Sequence, residues 1–156
     1  MKVLVECYHD AALVRALGVP VRQLGHEFGK GNVLRTLAKR NGDAVGIVDA
    51  DTGKQHSSPN EMAKYRDHED ANGLRLLKHG DDPQKSLVVI EPQLEEWLFL
   101  RAEVCGVHLA GYGLPQTARD MHRNPRCDRK PGFRRFLQDL LAADKGMQTL
   151  KKWIGA

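Results

Sequence analysis

Val45-Gly46-Ile47-Val48-Asp49-Ala50-Asp51 is the stretch that decides the fold. Its apolar part is continuous instead of alternating, the pattern of a strand buried on both faces in a parallel sheet. It ends in two carboxylates separated by one small residue, which on an extended chain point the same way. The strand is predicted over Ala44–Val48. Two further runs have the same form: Val3-Leu4-Val5-Glu6 near the start, and Ser86-Leu87-Val88-Val89-Ile90-Glu91. A weaker strand is predicted over Val19–Leu24, where Pro20 restricts it to a sheet edge or a strand beginning.

Helical spacing fills the intervals. Leu13, Val14 and Leu17 share a stripe that Gly18 ends, and Val33, Leu34, Leu37 and Ala38 form another, ended by Asn41-Gly42. Pro59-Asn60 opens a predicted helix through Leu77, and Pro92 one with Leu94, Trp97 and Leu98 facing inward. Phe133, Phe136, Leu137, Leu140 and Leu141 mark the clearest amphipathic helix, and a short last one holds Met147, Leu150 and Ile154. Strands alternating with helices give an α/β fold: a mainly parallel sheet of about four strands with helices on both faces. The 156 residues suit one domain, with a core over 1–104 and a basic helical extension over 105–156.

Composition narrows the class. At 41% hydrophobic and 28% charged, the chain is ordinary for a globular protein. No run approaches the ~20 apolar residues of a membrane span, and the N-terminus enters a strand that contains Glu6 instead of a secretory signal. Cys7, Cys105 and Cys127 are an odd number without a Cys-x-x-Cys pair. A cytoplasmic protein with reduced thiols is expected. Residues 115–156 hold ten Lys/Arg against four Asp, so the net +4 is distributed as +6 there and −2 over 1–114. A basic segment beside acidic strand ends suits a phosphodiester substrate, although composition alone favours a solvated helix face.

Each strand of a parallel sheet delivers its carboxyl end to the same edge, where open α/β folds place their sites. Glu6, Asp49 and Asp51, and Glu91 would gather there, with Asp10 four residues after Glu6 and Glu95 one turn after Glu91. Clustered carboxylates raise one another's pKa unless a cation shares them, and a hard divalent ion suits such oxygens. The expected ion is Mg²⁺, with Mn²⁺ as a substitute.

These residues carry a family likeness. Val3-Leu4-Val5-Glu6 followed by a helix, then Gly46-Ile47-Val48-Asp49-Ala50-Asp51, resembles the Toprim domain of topoisomerases, primases and OLD-type nucleases over roughly residues 1–100. The family places a glutamate after the first strand and Asp-x-Asp after a later one, and Glu6, Asp49 and Asp51 match these. His26, Gly29-Lys30-Gly31-Asn32 and Pro92-x-x-Glu95-x-Trp97-Leu98 resemble a small standalone branch of it, some members of which are linked to defence or mobile elements. The resemblance implies a metal-dependent nuclease or related phosphodiester enzyme acting on DNA or RNA. Glu6 would be general acid/base or ligand, Asp49 and Asp51 would hold Mg²⁺, and Glu91 or Glu95 would complete a second site. The alternative is a Toprim-like module that binds nucleic acid or a partner without cleaving. One departure is plain: Cys7 stands where the family usually has glycine. Tyr8, Tyr65 and Tyr112 are expected to pack, not to act as a topoisomerase nucleophile. A partner subunit or a homodimer stays open.

Other motifs are weaker. Gly25-His26-Glu27-Phe28-Gly29-Lys30-Gly31-Asn32 lacks the order of an NTPase phosphate loop, yet its amides and Lys30 suit a phosphate. His26 is a candidate for proton transfer. Cys105, His108, His122 and Cys127 have spacings that could hold zinc. Arg126, Arg129, Lys130, Arg134 and Arg135 form a basic stretch able to follow a nucleic-acid backbone.

Overall fold

Continuous apolar strands need cover on both faces, and the chain supplies it. The computed structural model describes residues 1–50 and 58–156. Among the described residues six strands form one sheet: β1 (Lys2–Val5), β2 (Leu24–His26), β3 (Ala44–Asp49), β4 (Tyr65–Ala71), β5 (Leu74–His79) and β6 (Lys85–Ile90). Their order is β2-β1-β3-β6-β5-β4. The first four of that order run parallel, and β5 and β4 are antiparallel additions.

The helices are α1 (Tyr8–Ala16), α2 (Lys30–Lys39), α3 (Pro59–Met62), α4 (Leu94–Cys105), α5 (Ala118–Arg123), α6 (Pro131–Ala143) and α7 (Lys145–Trp153). Strand alternation divides the core. Val3, Val5, Val45, Ile47, Val88 and Ile90 face one side, where α1, α4, α6 and α7 contribute Leu13, Trp97, Phe133, Phe136 and Met147. Leu4, Val48, Leu87 and Val89 face the other, against Val33, Leu34 and Leu37 of α2. The C-terminal helices thus close one face of the sheet, with Phe133, Phe136, Leu137 and Leu140 fully buried. They are part of the core, not an appendage to it.

The parallel part matches the sequence reading; the hairpin does not. The helix predicted from Pro59 to Leu77 stops at Met62, and β4 and β5 follow. Asn72 (φ 55°) and Gly73 (φ 77°) are the two left-handed residues of the connecting turn. Asn-Gly is the strongest short hairpin signal, because that turn needs positive φ twice. Leu74, Leu76 and Leu77 pack inward, while β4 is an edge strand with Arg66, Asp67, His68, Glu69 and Asp70 exposed. Charge on an edge blocks further strand pairing. The weak strand also shifts: Val21–Gln23 is a single 3-10 turn, and pairing with β1 begins at Leu24. Pro92 stands two residues before α4 instead of at its first position.

The order places β1 between β2 and β3. The chain leaves β1 on one side to form β2, then crosses to the other side for β3. A crevice opens at such a switch point, beyond the carboxyl ends of the strands.

Candidate functional site

Glu6 and Asp49 flank this switch point on adjacent strands. Glu6 Oε2 accepts from Asp49 N at 2.7 Å, and Asp49 Oδ1 accepts from Leu94 N at 2.9 Å, at the start of α4. β1, β3 and α4 are thereby tied together through carboxylates. Cys7 caps α1: its N and Sγ donate to Asp10 Oδ2 at 3.2 and 3.1 Å. The Cys7 thiol is thus an internal donor to an acid. Asp10 is buried, and its Oδ1 has no hydrogen-bond partner.

Glu95 is also buried, and two imidazoles hold it: His9 Nδ1 lies 3.0 Å from Oε1 and His122 Nδ1 3.3 Å from Oε2. His122 is 60% exposed, whereas His9 is 2% exposed with Nε2 unpartnered. Glu6, Asp49, Glu95, Cys7, His9, His26 and His122 share the wall of one cavity of about 410 Å³. The amino ends of α1, α2 and α4 open onto it through Tyr8, Gly29 and Glu95. Helix amino ends carry unpaired N–H groups and partial positive charge.

The electrostatics follow from crowding under cover. Burial, then Asp10, Glu6 and Glu95, push the Asp49 carboxyl up to about 9. Burial, partly opposed by the Cys7 bond and reinforced by Glu6 and Glu95, raises Asp10 to about 7. Burial and Asp10 raise the Cys7 thiol far above its ordinary range. For Glu95, burial is outweighed by His9 and His122, which hold it below the ordinary carboxylate range. Burial, with Arg126 adding to it, keeps His26 below the usual imidazole value.

The expected residues are distributed unevenly. Glu6, Asp49 and Glu95 come together; Asp51 lies outside the described residues. Glu91 turns away to Arg75, 2.7 Å from its Nε. Lys30 is buried, with Nζ donating to Asp49 O at 3.1 Å, so it braces the strand end instead of facing solvent. Among the described residues no group of three or more His, Cys, Asp or Glu is placed to hold a metal ion. Cys105, His108, His122 and Cys127 are therefore not brought together as a zinc set: Cys127 is buried in the core and His122 turns to Glu95.

Arg126 pairs with Asp128 at 3.0 Å and lies 3.6 Å over the Tyr8 ring, next to the site. Arg129, Lys130, Arg134 and Arg135 are exposed. Sequence reasoning had no access to the His9–Glu95–His122 chain. Its members lie on three helices, and no local spacing links them.

No helix of the described residues is long and apolar enough to cross a membrane. Comparison of the chain with protein-family models, with curated proteins and with solved structures finds no match.

Proposed function

We propose that this chain is a Toprim-like, Mg²⁺-dependent enzyme that processes phosphodiesters of nucleic acid. The observation that carries the reading is the meeting of Glu6 and Asp49 across the β1/β3 switch point, with Asp10 beside them. The donors fit a hard cation. They are carboxylates, one Asp10 oxygen is buried without a partner, and Asp49 is pushed up by burial and by neighbours of its own sign. Glu6 and Asp49, with Asp51 from the adjoining segment, would hold Mg²⁺ or Mn²⁺, and Asp10 would add its charge from behind them. The ion supplies polarisation of a phosphoryl oxygen and a water of lowered pKa.

The chain's own groups have distinct tasks in this reading. Lys30 and the Leu94 amide fix the Asp49 backbone and side chain. The amino ends of α1, α2 and α4 favour an anionic phosphate at the cavity. Glu95 fixes His122 through Nδ1, which leaves His122 Nε2 as the atom that exchanges a proton with substrate or water.

One observation favours the second reading, a binding module that does not cleave. Glu6 Oε2 and Asp49 Oδ1 are occupied by backbone amides, and no three-ligand group stands ready among the described residues. Cleavage of labelled DNA and RNA in Mg²⁺ or Mn²⁺ separates the two. Glu6→Gln and Asp49→Asn, with unchanged circular dichroism, should each reduce cleavage by about 100-fold or more. If both variants cut as well as the native protein, the site is misassigned. Tight oligonucleotide binding with no cleavage in either ion would establish the binding module.

A further inference from the structure

An exposed aromatic residue stands at the mouth of the acidic cavity in a backbone conformation that a phenylalanine rarely adopts. Phe28 is 65% exposed and has φ 58°. A bulky residue in the left-handed region is strained and persists where its surroundings impose it. Here they do: Glu27 N donates to Val5 O at 2.9 Å and Gly29 N to Glu6 O at 3.1 Å, one on each side of Phe28. Asn32 Nδ2 donates to the carbonyls of Glu27 and Phe28, at 2.9 and 3.2 Å. Neither strain nor exposure serves the core.

The ring belongs to an aromatic wall. Phe28 stacks on His26 with centroids 3.8 Å apart and 20° between planes. Tyr8 meets His26 edge-on at 4.6 Å and Phe28 at 5.9 Å. Tyr8 and His26 line the acidic cavity on one side, and on the other a second cavity of about 470 Å³. That second cavity carries Arg15, Arg126 and Arg134, with Asp128 as its one acid among the described residues, and has an apolar lining that includes Leu24, Phe133 and Leu137. An aromatic wall thus separates an acidic cavity from a cationic one.

We propose that Phe28, backed by His26 and Tyr8, is a stacking platform for an unpaired base of a single-stranded nucleic acid. Arg15, Arg126 and Arg134 hold the phosphates on one side of that base, and the next phosphodiester lies at the acidic cavity. The chemistry selects this occupant. A base offers an apolar π-face to an exposed ring, and its flanking phosphates require cations at one cavity. A duplex keeps its bases stacked on one another and cannot use the ring. This substrate class rests on the phosphodiester reading of the acidic site, but its test does not need catalysis.

The test is binding of 2-aminopurine-labelled single-stranded DNA and RNA oligonucleotides, and of the matching duplexes, in EDTA at fixed salt. Single strands should bind more tightly than duplex, with quenching of the 2-aminopurine. Phe28→Ala should weaken single-strand binding about 5- to 100-fold and abolish the quenching, and Phe28→Trp should restore both. Arg134→Ala should weaken binding and flatten its salt dependence. Unchanged affinity and quenching in Phe28→Ala, preference for duplex, or no binding by any oligonucleotide would overturn the proposal. Binding that depends on Phe28, without cleavage in Mg²⁺ or Mn²⁺, would refute the enzymatic reading and leave the platform standing. Metal-dependent cleavage indifferent to Phe28 in both affinity and quenching would do the reverse.

Discussion

Asp49→Asn should make the metal-free protein more stable, and increasingly so as pH rises. The Asp49 carboxyl moves from an ordinary 3.8 to about 9 on folding, through burial first and then Asp10, Glu6 and Glu95. Between those values the unfolded chain has released the proton and the folded chain keeps it. Stability must therefore fall as pH rises through that window, be undiminished below it, and level off above it. One proton sets the limiting slope at about 1.4 kcal/mol per pH unit, or about 3 kcal/mol between about pH 6 and pH 8. For a chain of this size that corresponds to about 6–12 °C in Tm. Asparagine has no proton to lose, so the native-minus-variant difference reports Asp49 together with its mutual repulsion with Asp10, which is itself raised to about 7. Urea unfolding in EDTA at three pH values across this range measures the difference. Added Mg²⁺ should then stabilise the native protein and leave the variant nearly unchanged. Parallel stability–pH curves for the two proteins would refute the crowding argument, and equal stabilisation by Mg²⁺ would refute the assignment of Asp49 as a ligand.

The remaining predictions concern the scaffold. Asp144 is 1% exposed, accepts from Arg101 Nε through both oxygens at 3.0 and 3.1 Å, and caps α7 through Met147 N at 2.9 Å. Asp144→Ala leaves Arg101 without its partner and should cost about 3–5 kcal/mol in chemical denaturation. A Cβ on Gly132 would lie 1.7 Å from the backbone oxygen of Tyr112, so Gly132→Ala should displace the start of α6 and give little folded protein on gel filtration. The Cys7 thiol, raised by burial and Asp10, should resist iodoacetamide at about pH 8 in the folded protein and react once urea unfolds it, as mass mapping would show.

The buried parallel strands were legible because continuous apolar runs ending in acids have few other uses. Glu6 and Asp49 were legible as candidates for one edge because parallel strands deliver their ends there, whatever their order. The β4–β5 hairpin was hidden by the charged run over Lys64–Asp70, which reads as polar helix or loop until the edge position of β4 explains it. Asn72-Gly73 was its available signal. Glu91 illustrates a contact that local spacing does not reveal. It has the right position after a strand, but β5 supplies Arg75 as its partner, and no local pattern announces a cross-strand ion pair.

By itself, the sequence determined the α/β alternation, the two-sided burial of the sheet and the acids at its carboxyl edge, since each follows from periodicity and charge within short windows. Only the tertiary structure decided which acids meet, and what holds them. The β1/β3 adjacency seats Glu6 on the Asp49 amide, α4 and α5 bring Glu95 to His122, and the clamped loop after β2 raises Phe28 at the cavity mouth. These are contacts between residues 25 or more positions apart, or consequences of an imposed backbone angle. They depend on strand order and helix packing, which local spacing does not encode.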